Sequence, residues 1–287
     1  PIEEQLLAKY GEDLIVIAYM NTSGRLKALA GRTGGAVCTS SNAHLVVDWA
    51  RKEGKKILFV PDEHLGRNTA VKLGMDLTKL VTFPNPLYEG IDWKIEELTG
   101  IDEAQMFLWG GFCGVHTVFT KEQVEWWKNR GWRVLIHPES QMEAVLGADG
   151  SGSTSYLWNE VMNSPPRSKF AVGTEGHFVR NLKEQAATKD IEVKHLAEAT
   201  LDHDDEDLTI GGCGCATMSR NDPPHLAGML DLLRKGEPPD LNRVFAGDTV
   251  DETTAKRERL VGEDRAIMVS DAKLALERMI KITECAP

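Results

Sequence analysis

The chain has 287 residues, a formal charge of −11 and 41% apolar residues. At roughly 150 residues per domain this suggests two domains, and the apolar share supports sizeable cores and excludes a disordered chain. The longest apolar run, Leu14 to Met20, is seven residues, far short of the about 20 that span a bilayer, so no membrane is expected; the acidic balance, without a basic stripe, argues against nucleic acid.

Taken in chain order, the pattern repeats itself. A helical stretch around Glu4-Gln5-Leu6 leads to a buried strand, Leu14 to Asn21; a helical stretch around Glu122-Gln123-Val124 leads to another, Trp132 to Glu139, offset by 118. From there the offset is 113. Thr39-Ser40-Ser41-Asn42 corresponds to Gly152-Ser153-Thr154-Ser155, and a helix follows each, Ala43 to Arg51 and Tyr156 to Met162. Strands follow at Lys56 to Val60 and Lys169 to Val172, and then Asp62, His64, Arg67 and Asn68 match Glu175, His177, Arg180 and Asn181. Such self-similarity at a fixed offset marks a duplicated structural unit.

The units also end alike. Gln105 to Trp109 reads as a strand, followed by Gly110-Gly111-Phe112-Cys113 and a helix with Thr120 as N-cap. Leu208 to Ile210 reads as a strand, followed by Gly211-Gly212-Cys213-Gly214-Cys215 and a helix capped by Asp222 with Pro223 in its first turn. A cysteine near a helix N-terminus favours its thiolate. Alternation of strands and helices predicts an α/β fold of repeated three-layer units with parallel sheets. Ligands of such sheets bind at the carboxyl edge, where Tyr19-Met20-Asn21 and His137-Pro138-Glu139 fall.

The five cysteines, Cys38, Cys113, Cys213, Cys215 and Cys285, are an odd count in a chain too long to need staples. No disulfide framework is expected, which with the absence of a visible secretory signal points to a reducing, cytoplasmic compartment. Cys38 reads as core, Cys285 as exposed, and Trp126, Trp127 and Trp132 as core at helix–strand contacts. The acidic run Asp202 to Asp207 reads as a solvated loop and Gly236 to Asp264 as a surface excursion.

The stretches Tyr19-Met-Asn21, Val37-Cys-Thr-Ser-Ser-Asn42, Phe59-Val-Pro-Asp62, Trp109-Gly-Gly-Phe-Cys-Gly-Val-His116, Ile136-His-Pro-Glu139, Gly152-Ser-Thr154, Gly173-Thr-Glu175, Cys215-Ala-Thr-Met-Ser-Arg-Asn221 and Leu276-Glu-Arg-Met279 together resemble the quinolinate synthase family. That resemblance implies three α/β units about a pseudo-threefold axis, with the first unit missing here. It implies a [4Fe–4S] cluster held by one cysteine per unit, with one iron open to substrate. It further implies condensation of iminoaspartate with dihydroxyacetone phosphate to quinolinate in NAD biosynthesis, with L-aspartate oxidase as a partner. Residue by residue, it assigns Cys113 and Cys215 to the cluster, with the third cysteine expected upstream of Pro1. Tyr19, His137 and Glu139 are assigned to catalysis. Tyr19, Met20, Asn21, Ser40, His137, Pro138, Glu139 and Thr154 are assigned to substrate. The expected division is 1–111, 112–212 and a C-terminal helical segment, 213–287, packing on the absent unit. The chain as it stands is expected to be unable to hold a stable, active cluster.

Other readings stay open. Cys113, His116, Cys213 and Cys215 would make a zinc site, as in a non-catalytic α/β binding module derived from the family. Cys113, His137 and Glu139 would serve a thiol hydrolase as nucleophile, base and orienter.

Overall fold

The computed structural model describes residues 2–83, 94–199, 215, 222–250 and 256–286. Two compact units are formed, residues 1–112 with 246–287, and residues 113–245.

In unit 1, α1 (Ile2–Tyr10) precedes β1 (Leu14–Tyr19), and α2 (Gly24–Arg32), β2 (Ala36–Cys38), α3 (Ala43–Lys52), β3 (Lys56–Val60), α4 (Glu63–Lys72), β4 (Leu80–Phe83) and β5 (Met106–Trp109) follow. The strands form one parallel sheet in the order β2-β1-β3-β5-β4. Alternation along β1 divides its side chains between two cores. Leu14, Val16 and Ala18 pack with Leu6 of α1 and Leu29 of α2, whereas Ile15 and Ile17 pack with Val46 and Val47 of α3 and Leu65 of α4. Helices therefore cover both faces of the sheet, and this burial is why the strands read as continuous apolar runs.

Unit 2 repeats the plan. α5 (Lys121–Lys128) precedes β6 (Arg133–Ile136), then come α6 (Met142–Gly147), β7 (Gly150–Ser151), α7 (Thr154–Met162), β8 (Lys169–Gly173), α8 (Gly176–Ala187) and β9 (Glu192–His195). Its parallel sheet runs β7-β6-β8-β9. Leu135, Phe170 and Val172 pack against α7 and α8, while Val134, Ile136 and Ala171 pack against α5 and α6 with Trp127. The three predicted core tryptophans meet edge-on about Trp127, whose indole N–H donates to Leu196 O at 2.9 Å.

The repeat extends to the caps. Asp62 accepts from the Leu65 N–H at the start of α4; Glu175, 113 residues on, accepts from the Phe178 N–H at the start of α8. Thr120 forms a capping box with Gln123. Asp222 caps α9 (Pro223–Lys235), whose first turn holds Pro223. The second sheet departs from the first at β8, which pairs directly with β9; β3 instead has β5 inserted between itself and β4. The predicted strand Leu208 to Ile210, Cys213 and the acidic run lie outside the described residues.

The C-terminal part divides between the units rather than standing as one segment from 213 to 287. α9 belongs to unit 2, and α10 (Gly262–Glu284) to unit 1. The predicted surface excursion contains the two-stranded ribbon of β10 (Asp248–Val250) and β11 (Arg257–Arg259). Ribbon and helix are tied to α2 and its flanks. Arg25 pairs with Glu258 at 2.5 Å, Arg32 with Asp271 at 3.1 Å, and the Arg278 guanidinium donates to Gly35 O. Asn42 Nδ2 donates to Thr283 Oγ1 at 3.0 Å.

The closest approach is at Gly31, where an added Cβ would lie 1.9 Å from the Asp271 carbonyl oxygen. In an ordinary exposed helix, alanine is favoured over glycine by about 1 kcal/mol. Here the backbone of α10 fills the space, so Gly31→Ala is expected to destabilise, by about 1–3 kcal/mol as for overpacked cores. A urea midpoint that rises in this variant would contradict the approach of α2 and α10.

Candidate active site

The carboxyl ends of strands carry most of the predicted site residues. In unit 1, Tyr19 ends β1 half-buried, Met20 is 40% exposed and Asn21 is exposed. Ser40, half-buried, lies in the turn after β2, which is joined to the end of β1 by the Met20 N–H to Cys38 O bond of 2.8 Å. Thr39, Ser41 and Asn42 knit that turn together, Asn42 Oδ1 accepting from the Thr39 N–H at 2.7 Å. These loops present hydroxyl and amide groups suited to binding anions.

Unit 2 brings more together. β6 ends at Ile136 and His137-Pro138-Glu139 turn out of the sheet, with the His137 N–H still held by Gly173 O of β8 at 2.9 Å. His137 is 4% and Glu139 3% exposed, and Pro138 is half-buried. Cys113, half-buried, lies four residues past β5 and heads a turn in which His116 N–H and Thr117 N–H donate back to its carbonyl. α5 begins at Lys121 with Thr120 as its N-cap, as expected from the sequence, and Cys113 heads this turn seven residues before the cap.

His116 is the residue at the centre. Its Nδ1 lies 3.0 Å from Glu139 Oε2 and its Nε2 3.2 Å from Thr174 Oγ1, and its ring stacks on His137 with centroids 4.2 Å apart. An ionised carboxylate can only accept, so Nδ1 carries a proton toward Glu139 while Nε2 faces the Thr174 hydroxyl. The nearest ligand atoms of Cys113, His116 and Glu139 lie within 4.8 Å of one another. The Glu139 carboxylate thus pairs with His116, not with His137 as a thiol hydrolase triad would require. In the sequence His116 stood out only as the second member of a Cys-x-x-His pair. That spacing places both side chains on one side of a turn, but its partners come from the loops after β6 and β8.

The Glu139 N–H donates to His137 Nδ1 at 3.4 Å, which leaves the His137 proton on Nε2. Burial pushes the His137 pKa down from 6.5 to about 4; neighbouring His116 adds to this and Glu139 opposes it. At neutral pH His137 is a neutral donor. An unfolded chain takes up this proton near pH 6.5 but the folded chain only near pH 4, so stability falls as pH drops through that window. At 1.36 kcal/mol per unit the contribution is on the order of 3 kcal/mol. Buried His195, also held below its ordinary pKa by burial, acts in the same direction and stays in the variant. His137→Gln is therefore expected to flatten, not abolish, the acid slope of urea unfolding between pH 6.5 and 4; an unchanged slope would count against a buried neutral His137.

Thr154, the first residue of α7, is exposed, and Ser153 caps that helix through the Tyr156 N–H. Cys215 is half-buried in unit 2. Cys38 is fully buried and burial pushes its thiol up, as a core cysteine; Cys285 is exposed. No helix among the described residues is long and apolar enough to cross a membrane.

Duplicated parallel α/β units carry at a strand edge a group, half-buried Cys113 with buried His116 and Glu139, whose atoms could hold a metal ion. The family model for quinolinate synthetase A protein matches residues 3–261, and the chain belongs to that family. The quinolinate synthase of Streptomyces coelicolor is 39% identical over 278 residues, 96% of this chain and 61% of that protein. Those of Bacillus velezensis and Corynebacterium glutamicum are 38% and 36% identical, over 84% and 99% of this chain. The chain spans about three fifths of the length of these relatives, 61–63%.

Proposed function

We propose that this chain provides the active-site units of a quinolinate synthase, which condenses iminoaspartate with dihydroxyacetone phosphate to quinolinate, phosphate and water. The observation that carries the reading is the buried group of His116, His137 and Glu139 beside Cys113, in stretches where the chain matches its family. Cys113 and Cys215 would hold a [4Fe–4S] cluster. Soft thiolates are the ligands such clusters need, and both cysteines are half-buried in unit 2. When bound, the cluster supplies an open Lewis-acid iron able to polarise a carbonyl or assist loss of a hydroxyl.

The protein's own residues do the rest. The Glu139–His116 pair holds a proton at His116 Nδ1 and stabilises the imidazolium when the ring takes a second one at Nε2. His137, kept neutral by burial, donates from Nε2 to a developing oxyanion without bringing charge into the site. We assign substrate contacts to Tyr19, Met20, Asn21, Ser40, Pro138 and Thr154. Hydroxyls of Ser40 and Thr154 donate to carboxylate or phosphate, and Tyr19 serves as acid, base or orienter.

A second reading, a single zinc-like ion on Cys113, His116 and Glu139, is favoured by the 4.8 Å grouping. It is opposed by the engagement of both His116 nitrogens with Glu139 and Thr174. The natural gene product, purified anaerobically, should be brown, carry about four iron and four sulfide per chain and form quinolinate. Zinc without sulfide, and no product, would replace the first reading by the second.

A further inference from the structure

A cavity of about 200 Å³ opens in unit 2, lined by Gly176, His177, Arg180, Lys183, His195 and Glu198 together with Val179. It lies along α8 and shares no lining residue with the His137–Glu139 turn. His195 at its wall is neutral and satisfied, Nε2 donating to Thr174 O at 2.9 Å and Nδ1 accepting from the Ala197 N–H at 3.2 Å. The Glu198 carboxylate is also engaged, with Lys194 at 3.3 Å and the His195 N–H at 2.9 Å. Arg180 and Lys183 have no carboxylate partner among the described residues.

The duplicated unit shows what this position looks like when closed. At the 113-residue offset, Arg180 corresponds to Arg67, Gly176 to Glu63, Lys183 to Ala70 and His195 to Thr82. Arg67 Nη2 is held by Glu63 Oε2 at 3.3 Å and donates to Thr82 Oγ1 at 2.7 Å. In unit 2 glycine stands in place of that carboxylate, and β9, which pairs directly with β8, lies where unit 1 has β5, so His195 matches Thr82 in chain order and not in place. A lysine stands where unit 1 has a buried alanine. Relative to its own duplicate, the pocket has lost the Glu63 carboxylate and gained the Lys183 cation; its one lining carboxylate, Glu198, is engaged with Lys194, and glycine leaves room where glutamate stood. Two exposed cations on one cavity, with no carboxylate partner among the described residues, are donors for an oxyanion.

We propose that this cavity binds a small dianion, a phosphate monoester or a dicarboxylate, through Arg180 and Lys183. The test is isothermal titration of the full chain at low salt, where screening is weak, with inorganic phosphate in one arm and malonate in the other. Saturable binding is expected, and the arm that binds tighter assigns the ligand class. Arg180→Gln combined with Lys183→Gln should raise the dissociation constant at least about tenfold, the weight of one lost hydrogen bond to a charged group. Gly176→Glu, which restores the carboxylate of unit 1 at a helix start that favours it, should do the same with the cations in place, and serves where the double variant fails to fold. Arg67→Gln should leave affinity unchanged. Binding of neither anion, or binding that both sets of cavity variants leave intact, would overturn the proposal. The readout needs neither cluster nor turnover, so its failure leaves the quinolinate synthase reading untouched.

Discussion

Glutamine in place of Glu139 is expected to lower turnover roughly 10²- to 10⁴-fold, the usual weight of a positioned acid or base, with iron content and fold retained. The side chain is buried and its Oε2 accepts from His116 Nδ1 at 3.0 Å. Glutamine keeps the volume, so the space of the buried side chain stays filled, but it removes the charge that stabilises a protonated His116. Its amide can also present N–H groups to Nδ1, which rotates the ring or exchanges its tautomer and breaks the bond from Thr174. The loss should fall on kcat more than on KM, since the interaction strengthens when His116 takes a proton during the reaction. Glu139→Asp, which keeps the charge at shorter reach, should recover part of the rate. Steady-state assays of quinolinate formation across pH distinguish the two; near-wild-type turnover in the glutamine variant would remove Glu139 from the chemistry.

The second large effect is on the metal. In the natural gene product, Cys113→Ala and Cys215→Ala should each abolish stable iron and sulfide, because each removes a thiolate that such a cluster needs. Cys213→Ala should keep most of both, since only Cys215 preserves the seven-residue spacing to the cap at Asp222 that Cys113 has to Thr120. Cys38→Ala should keep iron as well, for its thiol is fully buried in the core of unit 1. Iron, sulfide and visible absorbance of the four variants give the answer. Equal loss in Cys213→Ala and Cys215→Ala would undo the assignment.

The α/β architecture was legible because the chain states it twice. β3 and β8, and the capping carboxylates Asp62 and Glu175 after them, fall at one offset, and a polar match that survives at a helix start marks geometry that both copies need. The short strands were not legible. Ala36–Cys38 and Gly150–Ser151 are too brief to show a period, and Leu80–Phe83 passes for one more apolar stretch. The site was half visible. His137 and Glu139 announce themselves as polar residues following a buried strand, but the pairing of Glu139 with His116 depends on three loops from different strands. The spacing from Cys113 to the Thr120 cap was legible, but not the turn that Cys113 heads between them.

The return of α10 to unit 1 has a consequence for how the chain is made. Unit 2 is a single continuous stretch, whereas unit 1 needs residues 246–287 as well as 1–112. At ~5–20 residues per second on the ribosome, the first part waits roughly ten seconds or more before its last helix emerges. Through that interval the side of α2 that Asp271 and Met268 later cover at Gly31 and Gly24 stands open to water and to other nascent chains. Unit 2 can fold meanwhile, so residues made before it are among the last to reach their final packing.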